Sequence, residues 1–214
     1  MNKSYCLIAG AGEAPLCDAL PGAPDYVIAA DGGASLLCEF DVLPRLFVGD
    51  LDSLGEKPIG CECLIHPTEK DDTDMALALS EGMSRGYRDF VVIGGLGGRL
   101  DHTLANLQTA LSASRAGARA IFLGRRQNMT VITDGKIDFP PVERGYVSVF
   151  ALSEEAKGVT LRGLKYSLED ATLTQDRPLG VSNEFVGKPA QVSVEHGSLA
   201  IVWENSDGKT VLPV

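Results

Sequence analysis

Positive charge is scarce in this chain. Nineteen Lys and Arg stand against 29 Asp and Glu, leaving a formal net charge of −10 and a pI near 4.7. That balance argues against a nucleic-acid backbone as partner, because gripping one takes clustered Lys and Arg. It also constrains any phosphorylated small molecule. Carboxylates repel a triphosphate unless a bound cation inverts the local field, so an acidic phosphate site implies a metal. Long apolar runs are missing, and with them a membrane span. Met1-Asn2-Lys3 leads straight into a strand-like segment rather than a charged-then-apolar leader, so a cytoplasmic location is expected. Cysteine is sparse and odd in number. Cys6, Cys17, Cys38, Cys61 and Cys63 read as reduced thiols, and Cys61-x-Cys63 has neither zinc-finger spacing nor a second pair. There is no internal repeat and no low-complexity segment, and 214 residues suffice for one large domain or two small ones.

What is present alternates. Tyr5–Ala9, Tyr26–Ala30, Leu46–Val48, Cys63–Ile65, Phe90–Ile93 and Arg119–Leu123 are short apolar runs that read as strands. Between them lie segments with helical character: Glu13–Leu20, Ala34–Phe40, Asp72–Arg85 with Met75, Ala76, Leu79 and Met83 on one side, and a stretch marked by Leu104, Leu107, Ala110 and Leu111. Strand–helix alternation predicts an α/β domain, a mostly parallel sheet with helices on both faces and right-handed crossovers. After Arg126 the pattern changes. Val131–Thr133, Tyr146–Ala151, Val159–Leu161, Ala190–Val194 and Ser198–Val202 are strand-like, with Gly and Pro turns and no convincing helix. They predict a small all-β sandwich-like domain. The expected domains are residues 1–126 and 127–214, with the boundary between Arg126 and Arg144.

The chemistry gathers where the first-half strands end. In Phe47-Val48-Gly49-Asp50-Leu51-Asp52-Ser53 two carboxylates lie one residue apart, so in extended backbone both point the same way. Such a pair suits Mg²⁺, which binds through one or two carboxylates plus substrate phosphates, although a polar turn closing a strand has the same composition. Asp31 follows the second strand-like run, and Lys70-Asp71-Asp72-Thr73-Asp74 opens the long helix. Asp71 and Asp74, three apart, would share a helix face, while acids in a first turn also serve the helix dipole. Gly94-Gly95-Leu96-Gly97-Gly98 runs into Arg99-Leu100-Asp101-His102, where glycine amides and a helix start suit an anion and Arg99 can fork onto phosphate oxygens. Asp101 also fits a helix cap, and His102 a helix-start histidine. No Gly-Lys-Ser/Thr follows, so this is not a Walker A loop. Gly10-x-Gly12 with Asp31 imitates a dinucleotide fingerprint, but Pro15 stands where the third glycine belongs. In open parallel sheets ligands bind outside the carboxyl ends of the strands, and all these segments share that location.

Taken together, Ala30-Asp31-Gly32-Gly33-Ala34, Gly49-Asp50-Leu51-Asp52-Ser53, Asp71-Asp72-Thr73-Asp74 and Gly94-Gly95-x-Gly97-Gly98-Arg99-Leu100-Asp101-His102 resemble the motif series of the thiamine pyrophosphokinases, in that family's order. Gly163-Leu164-Lys165-Tyr166 and Val181-Ser182-Asn183-Glu184 are similar to its C-terminal domain. The resemblance implies an N-terminal α/β domain, a C-terminal β domain, a homodimer with shared active sites, and transfer of the pyrophosphoryl group of ATP to thiamine with Mg²⁺. It implies metal ligation by Asp50, Asp52 and Asp74, with Asp101 and Arg99 in the catalytic set. Asp31, Lys70, Asp71, Gly97, Gly98 and His102 would contact substrate. Ser182 and Asn183 would meet thiamine. Lys70 departs from relatives that carry glutamine there. Tyr166 and Trp203 are candidates to stack on a cationic ring, or core residues of the β domain. Two alternatives stay open: a pyrophosphokinase for another alcohol, such as a hydroxymethyl-pterin, and a non-enzymatic nucleotide- or thiamine-binding module.

Overall fold

The computed structural model describes residues 5–15, 20–50, 60–67, 71–206 and 209–213. Asp52 and Lys70 lie outside the described residues, as do Cys17 and the middle of the helix expected over Glu13–Leu20. The described start of that segment, residues 13–15, is not helical. The chain divides into two compact units, Met1–Arg125 and Arg126–Val214.

In the first unit the strands are β1 (Cys6–Ala9), β2 (Tyr26–Ala30), β3 (Leu46–Gly49), β4 (Glu62–Ile65), β5 (Asp89–Ile93) and β6 (Arg119–Leu123), with helices α1 (Gly33–Glu39), α2 (Asp74–Ser84) and α3 (Leu100–Arg115) between them. The strands run parallel in the order β6-β5-β1-β2-β3-β4. All of β1 and nearly all of β2, β5 and β6 are buried, so these strands are apolar throughout rather than alternating, as a sheet covered on both faces requires. The step β2–α1–β3 goes one way across the sheet, while β4–α2–β5 and β5–α3–β6 go the other. Right-handed crossovers then place α1 on one face and α2 and α3 on the opposite one. In keeping with this, α2 packs against α3.

Helix α2 shows how locally this is written. Thr73 caps it, its Oγ1 accepting from the Ala76 N–H at 3.2 Å. Met75, Ala78, Leu79 and Gly82 form the buried stripe, and Gly86 just past the end takes φ 93°, the left-handed turn that stops a helix. Because Thr73 is the cap, Asp71 and Asp72 precede the helix, and the expectation that Asp71 and Asp74 share a helix face is corrected.

The second unit holds β7 (Gln127–Thr133), β8 (Lys136–Phe139), β9 (Tyr146–Ala151), β10 (Glu155–Arg162), β11 (Leu168–Thr174), β12 (Gly180–Glu184), β13 (Ala190–Ser193) and β14 (Ser198–Glu204). They pair antiparallel in two ribbons, β12-β9-β14-β7 and β11-β10-β13-β8. Val147, Val149 and Ala151 alternate inward along β9, the period-2 mark of a half-buried strand. The ribbons meet through rings: Phe139 of β8 stands edge-on to Trp203 of β14, centroids 5.3 Å apart. Trp203 is fully buried and its Nε1 donates to the Val211 carbonyl at 2.8 Å. It is therefore core and not a stacking platform for a ligand.

Candidate active site

Register aligns the strand ends. Ala9 sits opposite both Ala29 and Ile93, Ile93 opposite Leu123, and Gly49 opposite Ile65. The residues that follow, Gly10, Asp31, Asp50 and Gly94, therefore emerge along one edge of the sheet. From β1 the chain steps out through β2, β3 and β4, then returns to the other side of β1 for β5 and β6. The crevice of such an open sheet lies where the order reverses, between the loops after β1 and β5. These are the two glycine loops, and they touch. The Gly12 N–H donates to the Gly94 carbonyl at 2.8 Å, and the Gly10 N–H to the Ile93 carbonyl at 2.8 Å. Gly94 takes φ 64°, and a Cβ on it would stand 2.2 Å from the Gly10 carbonyl oxygen, so only glycine permits this approach.

A cavity of about 440 Å³ opens there. It collects six of the residues anticipated from sequence: Asp31, Asp74, Gly97, Gly98, Arg99 and His102. Asp31 adopts φ 48°, a left-handed turn that Asp tolerates through its short polar side chain. Asp50, the residue after β3, is half-buried and is not among the lining residues. Asp71 and Asp72 line a different groove, between α2 and α3. Asp101 is also outside the lining and grips Arg99 instead, accepting from its Nη2 at 2.6 Å and Nε at 3.2 Å. The Arg99 hydrogen bonds hold the Asp101 carboxyl below its ordinary range, helped by the His102 N–H at 3.0 Å. This exposed fork gives the Arg99 guanidinium a defined direction at the start of α3.

Among the described residues no three His, Cys, Asp or Glu side chains form a metal centre. The donor chemistry nonetheless fits Mg²⁺. Asp31 and Asp74 line the cavity, and Asp50 follows β3, the strand beside β2; all are hard oxygen donors of the kind this ion takes alongside phosphate oxygens.

In the second unit, Ser182 and Asn183 sit on β12, at an irregularity in its pairing with β9. Ser182 is exposed with φ 57°, its N–H donating to Ser148 Oγ at 3.1 Å. Asn183 is buried, and its carboxamide is engaged with backbone. Oδ1 accepts from the Tyr166 and Glu184 N–H groups, both at 2.9 Å, and Nδ2 donates to the Tyr166 carbonyl at 2.6 Å. Tyr166 itself is 58% exposed, with Lys165 Nζ over its ring and paired to Glu184 at 2.6 Å.

Comparison with known proteins matches this arrangement twice. The signature described as "Thiamin pyrophosphokinase, catalytic domain" matches residues 19–122, and "Thiamin pyrophosphokinase, vitamin B1 binding domain" matches residues 135–199. The chain belongs to the thiamine pyrophosphokinase family. It is 27% identical over 210 residues to the thiamine pyrophosphokinase of Bacillus subtilis, covering 94% of this chain and 98% of the relative. The crystal structure of the Bacillus subtilis enzyme superposes with a TM-score of 0.82 at 25% identity, over 96% of this chain and all (100%) of the other. A thiamin pyrophosphokinase family protein from Enterococcus faecalis gives a TM-score of 0.79 at 28% identity, over 96% and 100%. Within this family member, each signature falls inside one of the two units.

Sequence reasoning passed over a polar cavity residue. Asn106 of α3 is 7% exposed, and its Nδ2 donates to the Gly95 carbonyl at 2.7 Å. A signal existed. Asn106 shares the spacing of Ala110 and Ala113, so it is a polar residue on the buried stripe of its helix.

Proposed function

We propose that this family member transfers the pyrophosphoryl group of ATP to the hydroxyl of thiamine, giving thiamine diphosphate and AMP. The observation that carries it is the match of both signatures, catalytic and vitamin B1 binding, one on each unit. The thiamine hydroxyl oxygen gives up its proton to solvent and bonds to the β-phosphorus, the bond from that phosphorus to the α–β bridging oxygen breaks, and AMP departs with the electron pair. Catalysis of this type is largely positioning plus stabilisation of charge on phosphate oxygens.

The residue roles combine the cavity lining with what the family resemblance implies. The amides of Gly97 and Gly98 and the Arg99 guanidinium receive phosphate oxygens at the start of α3. Asp101 sets the direction of Arg99 and orients groups around the reacting phosphate. Asp31 and His102 lie beside the nucleotide, and Lys70 would contact it as the resemblance implies. Asp50, Asp52 and Asp74 would hold Mg²⁺, with Asp71, just before α2, as a further carboxylate. When bound, that ion neutralises phosphate charge in a chain of net charge −10. Thiamine meets Ser182 and the exposed Tyr166 ring on the β unit, where Asn183 holds the backbone that presents them. Residues 1–126 serve as the catalytic domain and 127–214 as the thiamine-binding domain. The protein works in the cytoplasm as a homodimer with shared sites.

The test is AMP and thiamine diphosphate formation from ATP, Mg²⁺ and thiamine, followed by chromatography. Absence of both products refutes the assignment, and AMP release with a hydroxymethyl-pterin in place of thiamine supports the competing substrate. For shared sites, co-refolding Asp50→Asn with Ser182→Ala chains should restore about a quarter of wild-type activity by two-fold counting. No recovery in mixed dimers places each site within one chain.

A further inference from the structure

We infer that Asn106 is a positioning residue for this reaction, holding the Gly94–Gly98 loop in the shape that receives phosphate oxygens. Asparagine is a poor choice for a helix interior, because its side chain competes for backbone hydrogen bonds. A buried amide must also find partners. Asn106 meets that demand across a gap, from the second turn of α3 to the Gly95 carbonyl 2.7 Å away.

Gly95 has little freedom to move elsewhere. A Cβ there would stand 2.8 Å from the Phe122 ring and 3.1 Å from Val92, so its backbone already lies against the sheet. The preceding carbonyl, of Gly94, is held from the other side by the Gly12 N–H at 2.8 Å. Two successive carbonyls of the loop are thus fixed, one by the loop after β1 and one by α3. The peptide units beyond them, at Gly97 and Gly98 with φ 83° and 66°, are the part that borders the cavity. Because the same helix carries Arg99 at its start, the Asn106 bond ties the glycine amides and the guanidinium to one rigid body. Without it the loop loses its bond to the body of the helix that carries Arg99.

This inference rests on the cavity being the ATP site. The experiment uses the full chain with Asn106→Leu, which keeps the branched shape without the donor, and Asn106→Ala, which relieves any crowding. Steady-state kinetics are recorded with each substrate varied, ATP affinity by calorimetry, and amide hydrogen exchange over residues 94–98. In both variants the KM for ATP should rise about three- to tenfold, the equivalent of one hydrogen bond. The KM for thiamine should stay within about twofold, a change too small to count as a lost contact. Exchange in the loop should accelerate in the free protein. An unchanged KM for ATP with unchanged exchange, or equal rises for both substrates, overturns the inference. Wild-type protein that binds no ATP refutes the site assignment instead, which keeps the two failures apart.

Discussion

Asn183→Ala separates a structural amide from a ligand contact in the β unit. The wild-type side chain makes three hydrogen bonds to backbone, at 2.9, 2.9 and 2.6 Å, within a 3% exposed environment. At about 1 kcal/mol each, truncation costs roughly 3 kcal/mol, with the two N–H groups and the Tyr166 carbonyl left to find water. For a chain of this length that is a fall in melting temperature of about 6–12 °C. Asn183→Asp is the informative companion. It preserves the two acceptor bonds but turns an oxygen toward the Tyr166 carbonyl at the 2.6 Å contact, so it should be no more stable than the alanine variant despite its closer shape. Scanning calorimetry measures both, and the KM for thiamine is recorded on the folded variants. Melting of Asn183→Ala within a degree or so of wild type would refute the structural reading, given the hydrogen-bond magnitudes involved. A large rise in the KM for thiamine at unchanged stability would show instead that the amide meets the ligand.

Other outcomes follow from the α/β unit. Asp50→Asn and Asp74→Asn should each lower kcat by about 10²-fold or more and raise the Mg²⁺ concentration needed for half-maximal rate, since a ligand beside phosphate charge is lost; full turnover in EDTA contradicts this. Arg99→Ala should raise the KM for ATP well above that for thiamine, and the reverse pattern would move Arg99 away from the phosphates. Burial pushes the Tyr5 hydroxyl up to about 12, with Asp25 adding to the effect. Its folded value exceeds the unfolded one near 10, so its contribution to stability is complete below about pH 10 and is lost as pH rises towards 12. Tyr5→Phe should therefore lose stability less steeply than wild type over that window in urea titrations, and parallel slopes would refute the assignment.

The α/β half was legible because most of its strands are buried apolar runs and its acids and glycines stop them at one edge. The β half was less so. In β11 the sequence Leu168-Glu169-Asp170-Ala171-Thr172-Leu173-Thr174 buries only Leu173, so the apolar alternation that marks a strand is absent. In β12 the Gly, Ser and Asn content carries no strand signal, and the pairing around Ser182 is irregular. β8 is four residues long and follows a glycine, too short to stand out. The acidic run before α2 misled in the other direction. Asp72 looked like a helix-opening acid, whereas Thr73 three residues before Ala76 holds the cap. Asn106 shows the remaining gap: composition does not reveal that a helical amide bonds to a loop eleven residues earlier.

The fully buried Trp203 is the single tryptophan of the chain, and it lies in the second unit. The three helices among the described residues all lie in the first. The protein thus carries two spectroscopic labels that do not overlap. Indole emission reports whether the β unit is intact, and ellipticity near 222 nm is dominated by the α/β unit. Recorded together through one denaturant titration, they reveal whether the units melt as one cooperative block or in succession, with no dye, tag or substitution needed.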